Sequence, residues 1–148
     1  MFQSFLLVIA CIAVCNSVRA SPSQSFEGEC GGKTFRVEKR NVGHPLENSY
    51  VLSVATPHGA RRIYGASQGG WFHAACLMSR FAKPVVVFQS YCGGSACVED
   101  KYGAIDPENL KLLFVPEGNN VSNSKKLSTL LGRPSPHLQS EKGRFCCE

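Results

Sequence analysis

The sequence predicts a mainly β fold, a small antiparallel β-sandwich or sheet with one short helix, stabilised by disulfides; α+β is the alternative. Three observations carry that expectation. Short runs rich in β-branched and aromatic residues recur along the chain, separated by glycine, proline and asparagine. One segment, residues 71–81, shows the apolar spacing of a helix. Six of the eight cysteines, Cys30, Cys76, Cys92, Cys97, Cys146 and Cys147, lie downstream of an apolar leader that holds Cys11 and Cys15. An even set of six after a secretion signal reads as a disulfide framework.

The elements follow in chain order. Cys30 to Glu38 alternates Phe35 and Val37 with polar neighbours, as a half-buried strand does. Ser49 to Ala55 is β-branched and aromatic, bounded by Asn48 and Pro57, and predicts a second strand. Thr56-Pro57-His58-Gly59 supplies turn residues, with Arg61 to Tyr64 returning as the hairpin partner. Phe72, Ala75, Cys76 and Ser79 recur at helical spacing, which places the helix over 71–81, with a strand as the alternative over so short a run. Val85 to Phe88 is the clearest strand, opened by Pro84, and Leu110 to Val115 is another, ended by Pro116. The stretch from Glu117 to Gly143 is polar apart from one short apolar patch at Leu127, Leu130 and Leu131, and predicts a long loop with at most one or two helical turns.

The leader has the form of a secretory signal. Leu6 to Val14 is apolar, and Val18 and Ala20 are the small residues that favour cleavage after Ala20. The run is too short to span a bilayer, and no later stretch is long enough. Residues 1–20 are thus expected to be a signal peptide and 21–148 one secreted, extracellular domain, a monomer with no membrane span. Removing Arg19 with the leader lowers the net charge of +5 by one. Neither a run of five like charges nor an aromatic–basic alternation is present, so a nucleic-acid partner finds little support.

Six cysteines allow 15 pairings. Neighbouring Cys146 and Cys147 lie about 3.8 Å apart at Cα, below the usual disulfide range, so each is expected to bond back into the body. A bond from Cys30 to Cys146 or Cys147 would close nearly the whole domain, worth about 5 kcal/mol in the chain-entropy account. That pairing is favoured. A Cys92–Cys97 bond would close a small loop worth about 2 kcal/mol, and the partners of Cys76, Cys92 and Cys97 stay open. Zinc is the competing use of Cys92, Cys97 and the tail pair, disfavoured in an oxidising compartment; no metal or other cofactor is expected. Lys39-Arg40 and Arg61-Arg62 are dibasic, and surface charge accounts for them best. Asn120-Val121-Ser122 is an N-glycosylation sequon in the polar stretch.

Two constellations point to chemistry. Gly65-Ala66-Ser67-Gln68-Gly69 matches the nucleophile elbow G-x-S-x-G, followed by Asp100 and His137 in the acid-then-histidine order of α/β-hydrolases. These residues resemble those of secreted cutinases, which implies a compact serine esterase with Ser67, Asp100 and His137 as its triad. Against it, 46 residues from Ser21 are too few for the strands and oxyanion loop that precede the elbow, and Cys92 to Cys97 encloses no acid. Arg61 and Arg62 also suit a buried central strand poorly. The alternative to catalysis is a glycine-rich turn displaying a serine hydroxyl. The second constellation, His58 with Glu99 or another carboxylate, is similar to the small secreted ribonucleases of fungi and the ribonuclease-like effectors built on their fold. General acid–base work on RNA would need the two groups to converge on one phosphate.

Signal peptide, modest domain and six cysteines ending in Cys146-Cys147 together resemble the small secreted cysteine-rich effectors, of the avirulence-protein type, made by plant-pathogenic fungi. The resemblance is one of layout across the whole chain. It implies a non-enzymatic protein that binds a host protein or other host surface component and is recognised by host immunity, with possible uptake into the host cell. Segments 56–70 and 117–143 are the candidate contact surfaces.

Overall fold

The computed structural model describes residues 24–41, 48–66, 71–91, 101–116, 122–136, 138 and 144–145. They form two antiparallel sheets and one short helix. The first sheet is a meander of β1 (Gln24–Cys30), β2 (Lys33–Asn41), β3 (Asn48–Thr56) and β4 (Gly59–Ala66), adjacent in that order. The second holds β5 (Trp71–Met78), β6 (Pro84–Tyr91), β7 (Tyr102–Asp106), β8 (Lys111–Phe114) and β9 (Arg144–Phe145), ordered β8-β7-β6-β5-β9. Helix α1 (Ser124–Leu131) lies between β8 and β9 in the chain.

Local chemistry sets the turns. Gly31 and Gly32 both take positive φ, 59° and 72°, as a two-residue I′ hairpin requires. The β3–β4 turn is closed by the Thr56 hydroxyl, which donates to the Gly59 carbonyl at 2.6 Å and accepts the His58 N–H at 3.3 Å. Gly28 and Gly103 have a different purpose. Each sits directly across the ladder from a phenylalanine, Phe35 and Phe88, whose ring occupies the place a Cβ would take.

The sheets pack face to face around Phe35, Val37, Tyr50, Leu52 and Val54 from the first and Phe72, Ala74, Val86, Phe88 and Ile105 from the second. Aromatic rings run through that core. Tyr50 stacks on Phe72 at 5.5 Å between centroids, Phe72 on Phe88 at 5.6 Å, and Tyr64 meets Phe88 at 4.6 Å. The other face of the second sheet is covered too, Ala75, Leu77, Val85, Val87 and Tyr102 packing against Leu127, Leu131 and Leu138. Strands β5, β6 and β7 of the second sheet are thus covered on both sides.

That double burial explains the main correction. Residues 71–78 are strand β5, not the expected helix. Phe72, His73, Ala74, Ala75 and Leu77 are all buried, and a strand covered on both faces loses its polar–apolar alternation. Its apolar run then resembles that of a buried helix. The helix falls instead within the polar stretch, two turns over 124–131 that bury Leu127 and Leu131 and end at Gly132 with φ 69°.

The disulfide expectation is corrected as well. Cys30 bonds Cys76, with Cα atoms 5.2 Å apart, and not a tail cysteine. The reason is positional: β1 packs against β5, so their upper ends meet across the two sheets. Cys92, Cys97, Cys146 and Cys147 lie outside the described residues. Strands Lys33–Asn41, Asn48–Thr56, Gly59–Ala66, Pro84–Tyr91 and Lys111–Phe114 stand where the sequence placed strands, each shifted by a few residues.

Candidate binding surface

Ser67, Asp100 and His137 lie outside the described residues, as do Glu99 and Asn120. The surroundings of the glycine motif are nonetheless on view. Gly65 and Ala66 end β4, an edge strand, and the chain enters β5, a strand of the other sheet. A nucleophile elbow needs a strand running into a helix. At Gly65 a Cβ would meet only the movable tip of the exposed Arg62 side chain, so packing does not itself demand glycine there. His58 occupies the exposed β3–β4 turn, held by its backbone to Thr56.

His73 is the buried histidine, 1% exposed, directly opposite Gln89, also 1% exposed. Gln89 in turn faces Tyr102, whose hydroxyl donates to the Pro136 carbonyl at 3.2 Å. Beside this row Asn123 binds three backbone groups. Its side-chain oxygen accepts the Tyr102 N–H at 2.6 Å, and its amide donates to the carbonyls of Tyr102 and Val115. One buried amide thereby ties β7, the exit of β8 and the start of α1 together. These polar groups hold the helix layer onto the sheet. No group of three or more His, Cys, Asp or Glu able to hold a metal occurs among the described residues.

The exposed surface divides by charge. The outer face of the first sheet pairs opposite signs: Arg36 with Glu27 at 3.7 Å and Glu38 at 3.3 Å, and Arg40 with Glu38 at 3.4 Å. From Asn48 to Val98 the chain contains no aspartate or glutamate, while Arg61, Arg62, Arg80 and Lys83 all fall there. The stretch 122–136 is also free of acids and carries Lys125, Lys126 and Arg133.

Two exposed places result. One is the edge strand β4, where Arg61 stands opposite the buried Val54 and so on the core-facing register of a sheet edge. A register shift follows between Leu52 and Ser53, with Ile63 the extra residue on β4. Bulges and inward-facing charges of this kind guard edges against strand addition. Nearby, burial of Tyr64 raises its phenol above the ordinary value of 10.0.

The other is the β5–β6 turn. Its backbone closes through Ser79 N–H to the Lys83 carbonyl at 2.8 Å and Ala82 N–H to the Ser79 carbonyl at 3.0 Å, with Ala82 at φ 57°. Arg80 N–H donates to the Leu130 carbonyl at 2.9 Å, which docks the turn on the end of α1. Phe81 at the tip is 67% exposed and Met78 52%, and the Arg80 guanidinium lies 4.6 Å over the Phe81 ring. No family model, curated protein or solved structure matches the chain. Sequence reasoning passed over this turn because it lay at the end of an expected helix. Ser79-Arg80-Phe81-Ala82-Lys83-Pro84, an aromatic between two cations inside the acid-free stretch from Asn48 to Val98, was the available signal.

Proposed function

We propose that this protein is a secreted, disulfide-stapled binding protein of the effector type, not an enzyme, which engages a host component through loops carried on its β-sandwich. The observation that carries the reading is the β5–β6 turn, a tightly bonded element docked on α1 that nevertheless leaves Phe81 and Met78 in solvent. A rigid scaffold that holds large apolar and cationic side chains outward is organised for contact, since exposed apolar surface of that kind marks interaction sites. Secretion is supported by the leader and by the Cys30–Cys76 bond, a linkage that persists in oxidising compartments.

The test compares single variants applied to host tissue. Ser67→Ala, His58→Ala and His137→Ala are expected to keep the host response of the unchanged protein, while Phe81→Ser weakens it. Loss of the response in Ser67→Ala, with the thermal transition preserved, would contradict the reading and return the esterase to the front. Labelling of Ser67 by a fluorophosphonate probe would do the same.

A further inference from the structure

We infer that the β5–β6 turn is a membrane-interface anchor, which seats the protein on an anionic phospholipid bilayer. The inference rests on the binding-protein reading for its purpose and names one partner class for it.

Four features of the turn fit that surface together. Phe81 and Met78 are the two most exposed large apolar side chains among the described residues, and both belong to this end of the sheet. Cations flank them on the same protrusion: Arg80 and Lys83 in the turn and Arg133 just past the helix end, where Gly132 lies against the Arg80 Cβ. No acid occurs in 71–91 or 122–136, and the acids at this end of the sheet belong to the neighbouring β7–β8 turn, Glu108 and Asp106, whose carboxylate accepts the Glu108 N–H and the Asn109 amide; against these two stand Arg80, Lys83 and Arg133. The backbone of the tip is fixed before any partner arrives, by the Ser79 bonds and by Arg80 to Leu130.

An apolar tip with cations at its base is the arrangement that a lipid interface rewards. Aromatic and aliphatic side chains enter the headgroup–acyl boundary while arginine and lysine stay level with the phosphates. Anionic lipid adds attraction to each cation near the surface. A single-stranded nucleic acid fits less well. It calls for successive rings along a basic groove, whereas here one ring stands alone with a guanidinium already over its face. A protein partner calls for a broader apolar centre than two side chains supply.

The oxidised protein would be sedimented at physiological salt with vesicles of phosphatidylcholine, with and without phosphatidylserine. It is expected to bind the vesicles containing phosphatidylserine and to leave those of phosphatidylcholine alone. Phe81→Ser should weaken binding roughly tenfold, the loss that follows from withdrawing one phenylalanine from an apolar environment. Arg80→Gln with Lys83→Gln should weaken it about thirtyfold, from two cations at the surface. Arg61→Gln with Arg62→Gln removes the same charge from β4 and should change binding little. No sedimentation with phosphatidylserine vesicles overturns the inference. An equal loss from the β4 pair overturns it too, because net charge would then be the cause, and so does unchanged binding in Phe81→Ser. RNA binding that tracks Arg80 and Lys83 but survives Phe81→Ser, without lipid binding, would assign the surface to a nucleic acid instead. All these substitutions are exposed, and a preserved thermal transition confirms each fold. Failure here leaves the host-response comparison of Ser67, His58 and His137 untouched, so the two readings fall separately.

Discussion

Asn123 does more for the fold than its position suggests. It stands where a helix N-cap would be, yet makes no capping bond; its amide instead meets the backbone of Tyr102 and Val115. Replacing it with alanine leaves buried N–H and C=O groups without partners, and each such group costs roughly 1–3 kcal/mol. Asn123→Ala is therefore expected to lose about 3 kcal/mol in denaturant unfolding, far more than a cap on an eight-residue helix is worth. Tyr64 gives a second residue-scale expectation, in pH. Its phenol is raised in the folded state by burial, so above pH 10 the unfolded chain releases that proton first. The unfolded state then binds fewer protons than the native one, and stability falls as pH rises through that range. Thermal unfolding should show a smaller drop between pH 9 and 11 in Tyr64→Phe than in the unchanged protein.

Among the elements, the glycine–phenylalanine pairs decide how closely neighbouring strands can pack. Gly103 lies beneath the Phe88 ring, which is part of the aromatic stack joining the sheets. A methyl group there would displace a ring that has no room to move, and overpacking a filled core costs about 1–3 kcal/mol. Gly103→Ala should accordingly lower the unfolding midpoint, whereas Gly32→Ala meets open space and acts only through its positive φ. The same pairs show why some strands could be read from sequence and others could not. β3 and β6 announce themselves by β-branched residues, because much of their stabilisation comes from side chains packed in the core. β1 has one partly buried apolar residue facing the core, Phe26, and a glycine that makes way for its neighbour's ring. β7 is short and contains Gly103. Their strand character comes from the partner, which local composition does not record. β5 misleads in the opposite sense, its buried residues on both faces hiding the alternation of a strand. The β5–β6 turn is legible in Phe81 standing between Arg80 and Lys83.

For the whole molecule, the Cys30–Cys76 bond is the feature that joins the parts. It links the end of the first sheet's edge strand to the second sheet, across a sequence separation of 46. In the chain-entropy account such a loop is worth about 4 kcal/mol. Neither its pairing nor the meeting of β1 with β5 could be read from cysteine spacing, because the pairing depends on how two sheets stack. From Cys76 strand β5 runs on through Met78 into the β5–β6 turn. The most direct measurement is a non-reducing peptide map of the oxidised protein by mass spectrometry, with reduced digest as reference. The two-sheet account predicts a peptide containing Cys30 linked to one containing Cys76. Cys30 recovered in linkage with Cys146 or Cys147, or with a free thiol, would contradict it.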